Sequence, residues 1–158
     1  MSVADLEPPA ATAFAALKPE SVQFLLGRAH SVPLHAGDTF LHEGDPGGDL
    51  YVVRTGRVEV FLERKDEGTP EPVRIHLAEL GPGDCLGETS LLGVLPRTAS
   101  VVALTEGTAI RLRNTDLLAF SEKDPREFAI LMINLGREVA RRLWLMNERL
   151  LEQLRRLR

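Results

Sequence analysis

The sequence predicts an α+β fold: an antiparallel β-barrel or jelly roll, flanked by short N-terminal helices and followed by one long C-terminal helix. Three observations carry this reading. From Ser31 to Arg113, short apolar runs with period two, such as Val58, Val60 and Leu62, alternate with glycine-bearing turns, as in proteins built of many short strands. From Pro125 to Arg158 there is no glycine except Gly136 and no further proline, so nothing interrupts a helix. A chain of 158 residues is long enough for a core without disulfides or metal, which suits a single domain over 1–158.

The N-terminal helices are expected over residues 10–28. Ala10 to Lys18 forms the first. In the second, Pro19 to Gly27, the proline stands at a first helical position, Glu20 complements the helix dipole, and Val22, Phe24, Leu25 and Leu26 supply an apolar face. Strands follow over 31–113: Thr39 to Leu41, Leu50 to Val53, Val58 to Leu62, Val73 to Leu77, Thr98 to Ala103 and Thr108 to Leu112. Ala36-Gly37-Asp38, the run from Gly44 to Gly48, Thr55-Gly56, the run from Gly81 to Asp84, and Glu106-Gly107 separate them. The charged segment from Glu63 to Pro72 reads as a solvated hairpin tip. A short helix is expected over 115–121.

The long helix over 125–158 spans about 50 Å at the standard rise. In heptads its a positions are Ile133, Ala140, Asn147 and Leu154, and its d positions Gly136, Leu143, Leu150 and Leu157. A parallel homodimer through 133–157 is the simplest partner for such a seam, and the alternative is a helix folded onto its own domain. Val139 and Met146 at g, with Trp144 and Leu151 at e, widen the stripe and are expected to pack back on the barrel.

Composition narrows the function. A net charge of −4 does not suit a general polyanion binder. Eight Arg against four Glu give +4 from Pro125 onward, so the remainder carries −8 and the molecule is an acidic body with a basic tail. The single cysteine, Cys85, excludes an intramolecular disulfide and an all-cysteine metal or cluster site. The N-terminal stretch has no signal-peptide pattern and no segment approaches a membrane span, so a cytoplasmic protein without a membrane partner is expected. His30, His35, His42 and His76 lack metal-ligand spacing, and no nucleophile–base pair is visible, so neither a metal site nor an enzyme is expected.

The distinctive stretch is Leu86 to Ser100, LGETSLLGVLPRTAS. Gly87 to Leu91 forms a loop entering one helical turn, whose N–H groups suit an anion that Gly87 allows to approach closely. Arg97 adds a planar fork of donors for the same phosphate, and Thr98 adds a hydroxyl. Glu88 beside an anion site is accounted for if it accepts from a ribose 2′-hydroxyl. The competing reading of Glu88 and Arg97 is an ordinary ion pair.

This stretch resembles the phosphate-binding cassette of the cyclic nucleotide-binding domain family, of catabolite-activator and kinase regulatory-subunit type. The resemblance extends through LHEGDPGGDLYVVRTGRVEVFL, through Leu80 to Asp84, and to Ala140-Arg141-Arg142-Leu143. It implies that Glu88 binds the ribose, Arg97 the cyclic phosphate, and the N–H groups near Thr89 and Ser90 the phosphate oxygens, with Leu86, Gly87 and Ala99 completing the cassette. Val60 and Leu77 would line sugar and base, and the base would lie near Met146 and Asn147. Met146 and Asn147 depart from the hydroxyl pair of the activator, so its base contacts do not carry over, and Asn147 is open to both register-setting and base-reading. Cyclic AMP is the expected ligand, with cyclic GMP the alternative because family members also use threonine with guanine. The chain ends without the DNA-binding domain of the family's transcription factors, so a ligand sensor acting on an unknown protein partner, not on DNA, is expected. The rival is a ligand-independent dimeric scaffold.

Overall fold

The computed structural model describes residues 11–157. The described chain runs through a 3-10 turn (Thr12–Phe14), α1 (Pro19–Leu26), β1 (His30–Leu34), β2 (Thr39–Leu41), β3 (Leu50–Thr55), β4 (Val58–Arg64), β5 (Val73–Leu80), β6 (Cys85–Leu86), α2 (Glu88–Gly93), β7 (Ser100–Ala103), β8 (Gly107–Leu112), α3 (Asn114–Lys123) and α4 (Pro125–Arg156).

The strands pair antiparallel in two four-stranded sheets, ordered β1-β8-β3-β6 and β2-β7-β4-β5. The mixed α and β composition and the antiparallel strands of the sequence reading stand, and of its barrel or jelly roll the structure shows two sheets that do not close into a ring. Each sheet keeps two edge strands. β6, of two residues, and β2, of three, offer too few ladder bonds to bridge one sheet to the other.

The first sheet is the middle layer of the molecule. Leu50, Val52, Ile110 and Leu112 point to a core shared with Leu25, Phe120, Leu131 and Leu135 of the helices. The alternate residues Tyr51, Val53 and Ala109 point to a second core, shared with Val58, Leu80, Leu86 and Val101 of the other sheet. Burial on both faces explains why Leu50-Tyr51-Val52-Val53 reads as a continuous apolar run, where a half-buried strand would alternate.

Three local expectations differ. Ala10 lies outside the described residues, and Thr12–Phe14 form one 3-10 turn where an α-helix over Ala10 to Lys18 was expected. The chain leaves that turn because Asn134, buried on α4, donates to the carbonyls of Ala13 at 3.0 Å and Ala15 at 2.7 Å, and Ala16 then takes φ +62°. β1 was not expected as a strand: it contains Pro33, which is tolerated because β1 is an edge paired only with β8. β6 is too short to carry a periodic signal.

On α4 the buried residues Leu131, Asn134, Leu135 and Glu138 form the stripe that faces the body. Of the heptad positions, Leu150, Leu154 and Leu157 are exposed and take no part in the cavity, while Leu143 is exposed at its rim. Among the expected e and g contacts, Val139 and Met146 line a cavity against the sheets, whereas Trp144 is 60% exposed and Leu151 is exposed too. The e positions lie on the seam side of the helix, away from the stripe that meets the body. No helix among the described residues is long and apolar enough to cross a membrane.

Candidate ligand-binding site

A cavity of about 590 Å³ opens between the second sheet, the segment 86–99 and the middle of α4. One side is apolar, with Leu41, Val60, Leu77, Leu80, Val101 and Met146. The other carries Gly87, Glu88, Thr89, Ser90, Arg97 and Thr98.

The segment 86–99 is shaped by backbone constraints. β6 delivers the chain to Gly87, whose φ of +85° disfavours any other residue. A Cβ there would also overlap the Arg97 guanidinium and the Asp49 carbonyl, so the glycine brings arginine and main chain into contact. α2 is a turn and a half long, and the Leu91 N–H donates back to the Gly87 carbonyl. The return is pinned by side chain and loop. Ser90 Oγ donates to the Pro96 carbonyl at 3.0 Å, the Arg97 N–H donates to the Asp45 carbonyl at 2.8 Å, and the Gly44 N–H donates to the Arg97 carbonyl at 2.8 Å. The β2–β3 loop therefore holds the main chain of Arg97 on both sides.

Arg97 is 7% exposed. Both of its terminal nitrogens donate to the Asp49 carbonyl at 3.1 Å, and the guanidinium lies 5.4 Å from the Tyr51 ring centroid. Asp49 is itself fixed: its carboxylate accepts from Arg111 Nε at 2.8 Å and from the Asn114 N–H at 3.1 Å. Among the described residues Arg97 thus has a carbonyl dipole and no carboxylate as its hydrogen-bond partner beside the cavity.

Glu88 is buried, and its Oε1 accepts from Arg142 of α4 at 2.6 Å. Its Oε2 is buried with no hydrogen-bond partner among the described residues. Burial pushes the Glu88 carboxyl above the ordinary carboxylate range, and the Arg142 charge opposes that rise. Arg142 also donates to Glu138 Oε1 at 2.9 Å and to the Cys85 carbonyl at 2.7 Å. Glu138 is held below the ordinary range, chiefly by its hydrogen bonds from Arg141. Burial, with Glu88 nearby, pushes the Cys85 thiol up to about 12, so it stays an inert core side chain.

Of the residues singled out from the sequence, Leu86, Gly87, Glu88, Thr89, Ser90, Arg97, Thr98, Ala99, Val60, Leu77 and Met146 all line this cavity. Asn147 does not: it is exposed on α4, outside the wall of this chain's own cavity. The sequence reading missed the roles of Arg142, Glu138 and Arg149. In heptads these residues fall at c and f, positions that a coiled coil turns to solvent, so the seam pattern hid them. The signal that would have found them is their spacing from the apolar positions Leu131 and Leu135: Glu138, Arg142, Leu145 and Arg149 continue that stripe at intervals of three and four. Among the described residues no cluster of His, Cys, Asp and Glu could hold a metal ion.

The glycine-anchored turn, the buried carboxylate and the buried arginine all line this cavity, and comparison with known proteins gives the chain a family. The family model described as cyclic nucleotide-binding domain matches residues 31–124, and the chain belongs to that family. It is 35% identical over 130 residues to the cyclic AMP receptor protein of Thermus thermophilus, a match covering 82% of this chain and 56% of that protein. It is 35% identical over 96 residues to the cAMP-dependent protein kinase regulatory subunit of Emericella nidulans, covering 61% of this chain and 21% of the other. Among solved structures, the Thermus thermophilus catabolite activator protein superposes with TM-score 0.72 at 32% identity, covering 89% of this chain and 62% of that one. A cyclic nucleotide-binding domain from Methylobacillus flagellatus gives TM-score 0.76 at 25% identity, covering 96% and 79%. The chain therefore spans about half the length of the Thermus receptor and a fifth of the kinase subunit.

Proposed function

We propose that this chain is a non-enzymatic receptor for a cyclic ribonucleotide and that it signals through α4 to a partner protein. The observation that carries the reading is the meeting, in one cavity, of an arginine without a carboxylate partner among the described residues and a buried carboxylate with one oxygen unpartnered among them. Arg97 and the N–H groups near Thr89 and Ser90 take the cyclic phosphate. Glu88 Oε2 accepts from the ribose 2′-hydroxyl, giving a buried acceptor the donor it lacks. Val60, Leu77 and Met146 pack on sugar and base. The names of the relatives, a cyclic AMP receptor and a regulatory subunit of a cyclic AMP-dependent kinase, support the same class of ligand.

Output runs through α4 because that helix is half of the site. Arg142 touches Glu88 from one face of the helix, and the exposed stripe Leu143, Leu150, Leu154 and Leu157 lies on another. That stripe forms a homodimer seam. A ligand that prefers one setting of α4 shifts the population of the surface that α4 presents.

Titration calorimetry of the purified chain with cyclic AMP and cyclic GMP tests the reading. Saturable binding supports it. The absence of both heat and thermal shift at millimolar nucleotide would leave a ligand-independent scaffold.

A further inference from the structure

Four arginines line the cavity: Arg97, Arg141, Arg142 and Arg149. Two are matched by carboxylates. Arg142 pairs with Glu88 and Glu138, and Arg141 pairs with Glu138. The other two, Arg97 and Arg149, donate only to main-chain carbonyls among the described residues, those of Asp49 and Leu77. A carbonyl accepts hydrogen bonds but does not cancel charge, so both side chains keep donors for a ligand. The proposed function uses Arg97 for phosphate and leaves Arg149 without a role.

The site of Arg149 is defined by a β-bulge. Val60 pairs with Ala78 and Phe61 with His76, so Leu77 is the extra residue on β5, outside the β4 ladder. The Leu77 side chain lines the cavity, and its carbonyl accepts from Arg149 Nη1 at 2.9 Å. The guanidinium therefore sits beside the apolar wall of Val60, Leu77 and Met146, where the proposed function places the base. Glu79, the carboxylate nearest on that strand, is engaged by Arg57 at 2.9 Å.

We propose that Arg149 reads the base of the bound cyclic nucleotide and favours guanine over adenine, an assignment that rests on the proposed function above. Arginine is donor-only, and its fork matches two adjacent acceptors. The N7/O6 edge of guanine presents two acceptors, whereas the same edge of adenine presents N7 beside an amino donor that opposes the guanidinium. The apolar wall cannot make this distinction. Arg149 would exchange the Leu77 carbonyl for the base edge, or share its fork between them.

Calorimetry with cyclic GMP, cyclic IMP and cyclic AMP on the full chain and on Arg149→Met tests this. Inosine keeps O6 and N7 but lacks the 2-amino group, which separates reading by Arg149 from reading of that amino group by Thr98. The expected result is that cyclic GMP and cyclic IMP bind with similar affinity, both about 5- to 10-fold tighter than cyclic AMP. In Arg149→Met the preference falls within about 2-fold, because cyclic GMP and cyclic IMP lose the two-acceptor contact while cyclic AMP, which offers the fork only N7, loses less. Equal or tighter binding of cyclic AMP by the wild type would overturn the assignment. So would cyclic IMP behaving like cyclic AMP, or a preference that survives in Arg149→Met. Binding of none of the three would instead overturn the proposed function, and this assignment with it.

Discussion

Arg142 donates to Glu88 at 2.6 Å across a sequence separation of 54 residues, joining the middle of α4 to the first residue of α2. One guanidinium thereby serves Glu88, Glu138 and the Cys85 carbonyl, so the cavity wall and the long helix share a charge network. The site is as much a property of α4 as of the segment 86–99.

The first prediction concerns that network. Arg142→Met leaves the Glu88 carboxylate buried without its hydrogen-bonded counter-charge, with only the more distant Arg97 charge acting on it, and is expected to cost about 3 kcal/mol, the low end for a broken buried pair because Arg142 is partly solvated. In the double variant with Glu88→Gln much of that loss returns, because no buried charge is left alone. Urea denaturation of the four proteins in the cycle measures the coupling. Additive losses would show that the pair is not energetically linked.

The two carboxylates on Arg142 should respond to pH with opposite signs. The Glu88 carboxyl is raised on folding, so its contribution is fully present below the ordinary value of about 4.3 and is lost as pH rises through its folded value. Glu138 is lowered on folding, so its contribution is present above about 4.3 and is lost as pH falls. Denaturation midpoints measured from acid to neutral pH should therefore lose a component that strengthens on acidification in Glu88→Gln, and one that weakens on acidification in Glu138→Gln. The same slope change in both variants would contradict the assigned signs.

Arg97→Ala is expected to abolish nucleotide binding at millimolar ligand while the chain stays folded, with a stability loss of about 1–3 kcal/mol from the unsatisfied Asp49 carbonyl. Arg97→Lys should also bind poorly, since an ammonium lacks the fork that can address two oxygens at once. Calorimetry and thermal melts read both effects, and wild-type affinity in either variant would remove Arg97 from the site.

Gly87→Ala should impair the site through the backbone. The residue sits at φ +85°, which costs an L-residue roughly 1–2 kcal/mol, and the added Cβ would displace the Arg97 guanidinium. The expected outcome is a lower melting temperature together with weaker binding. A variant with unchanged binding would show that the close approach of Arg97 to Gly87 is not required.

The exposed stripe on α4 predicts self-association. Sedimentation at micromolar concentration should give a dimer for the wild type and a monomer for Leu150→Asp, which places a charge in the middle of the seam. A monomeric wild type would reassign the stripe to a different partner.

The sequence alone determined much of this protein because two of its signals are local. Period-two apolar runs between glycine turns specify short antiparallel strands wherever they pack, and the proline-free run after Pro125 specifies one helix. The order Gly87, Glu88, Arg97, Thr98 likewise puts a turn, an acid and a forked base on one short segment, and all four line the cavity. Only the tertiary structure decided the rest, because it depends on residues far apart in the chain meeting across layers. The split into two open four-stranded sheets, between the barrel and the jelly roll that the sequence left open, was decided by packing, since the pairing partners of β2 and β6 are not set by their own few residues. On α4 the heptad rule picked out the exposed face, while the face that meets the cavity carries Glu138, Arg142 and Arg149, whose polarity reads as solvent until Glu88 and Leu77 are brought opposite them. Asn147, attractive in the sequence, lies outside that face because, at about 100° per residue, it is turned roughly 140° from Arg142 and roughly 160° from Arg149.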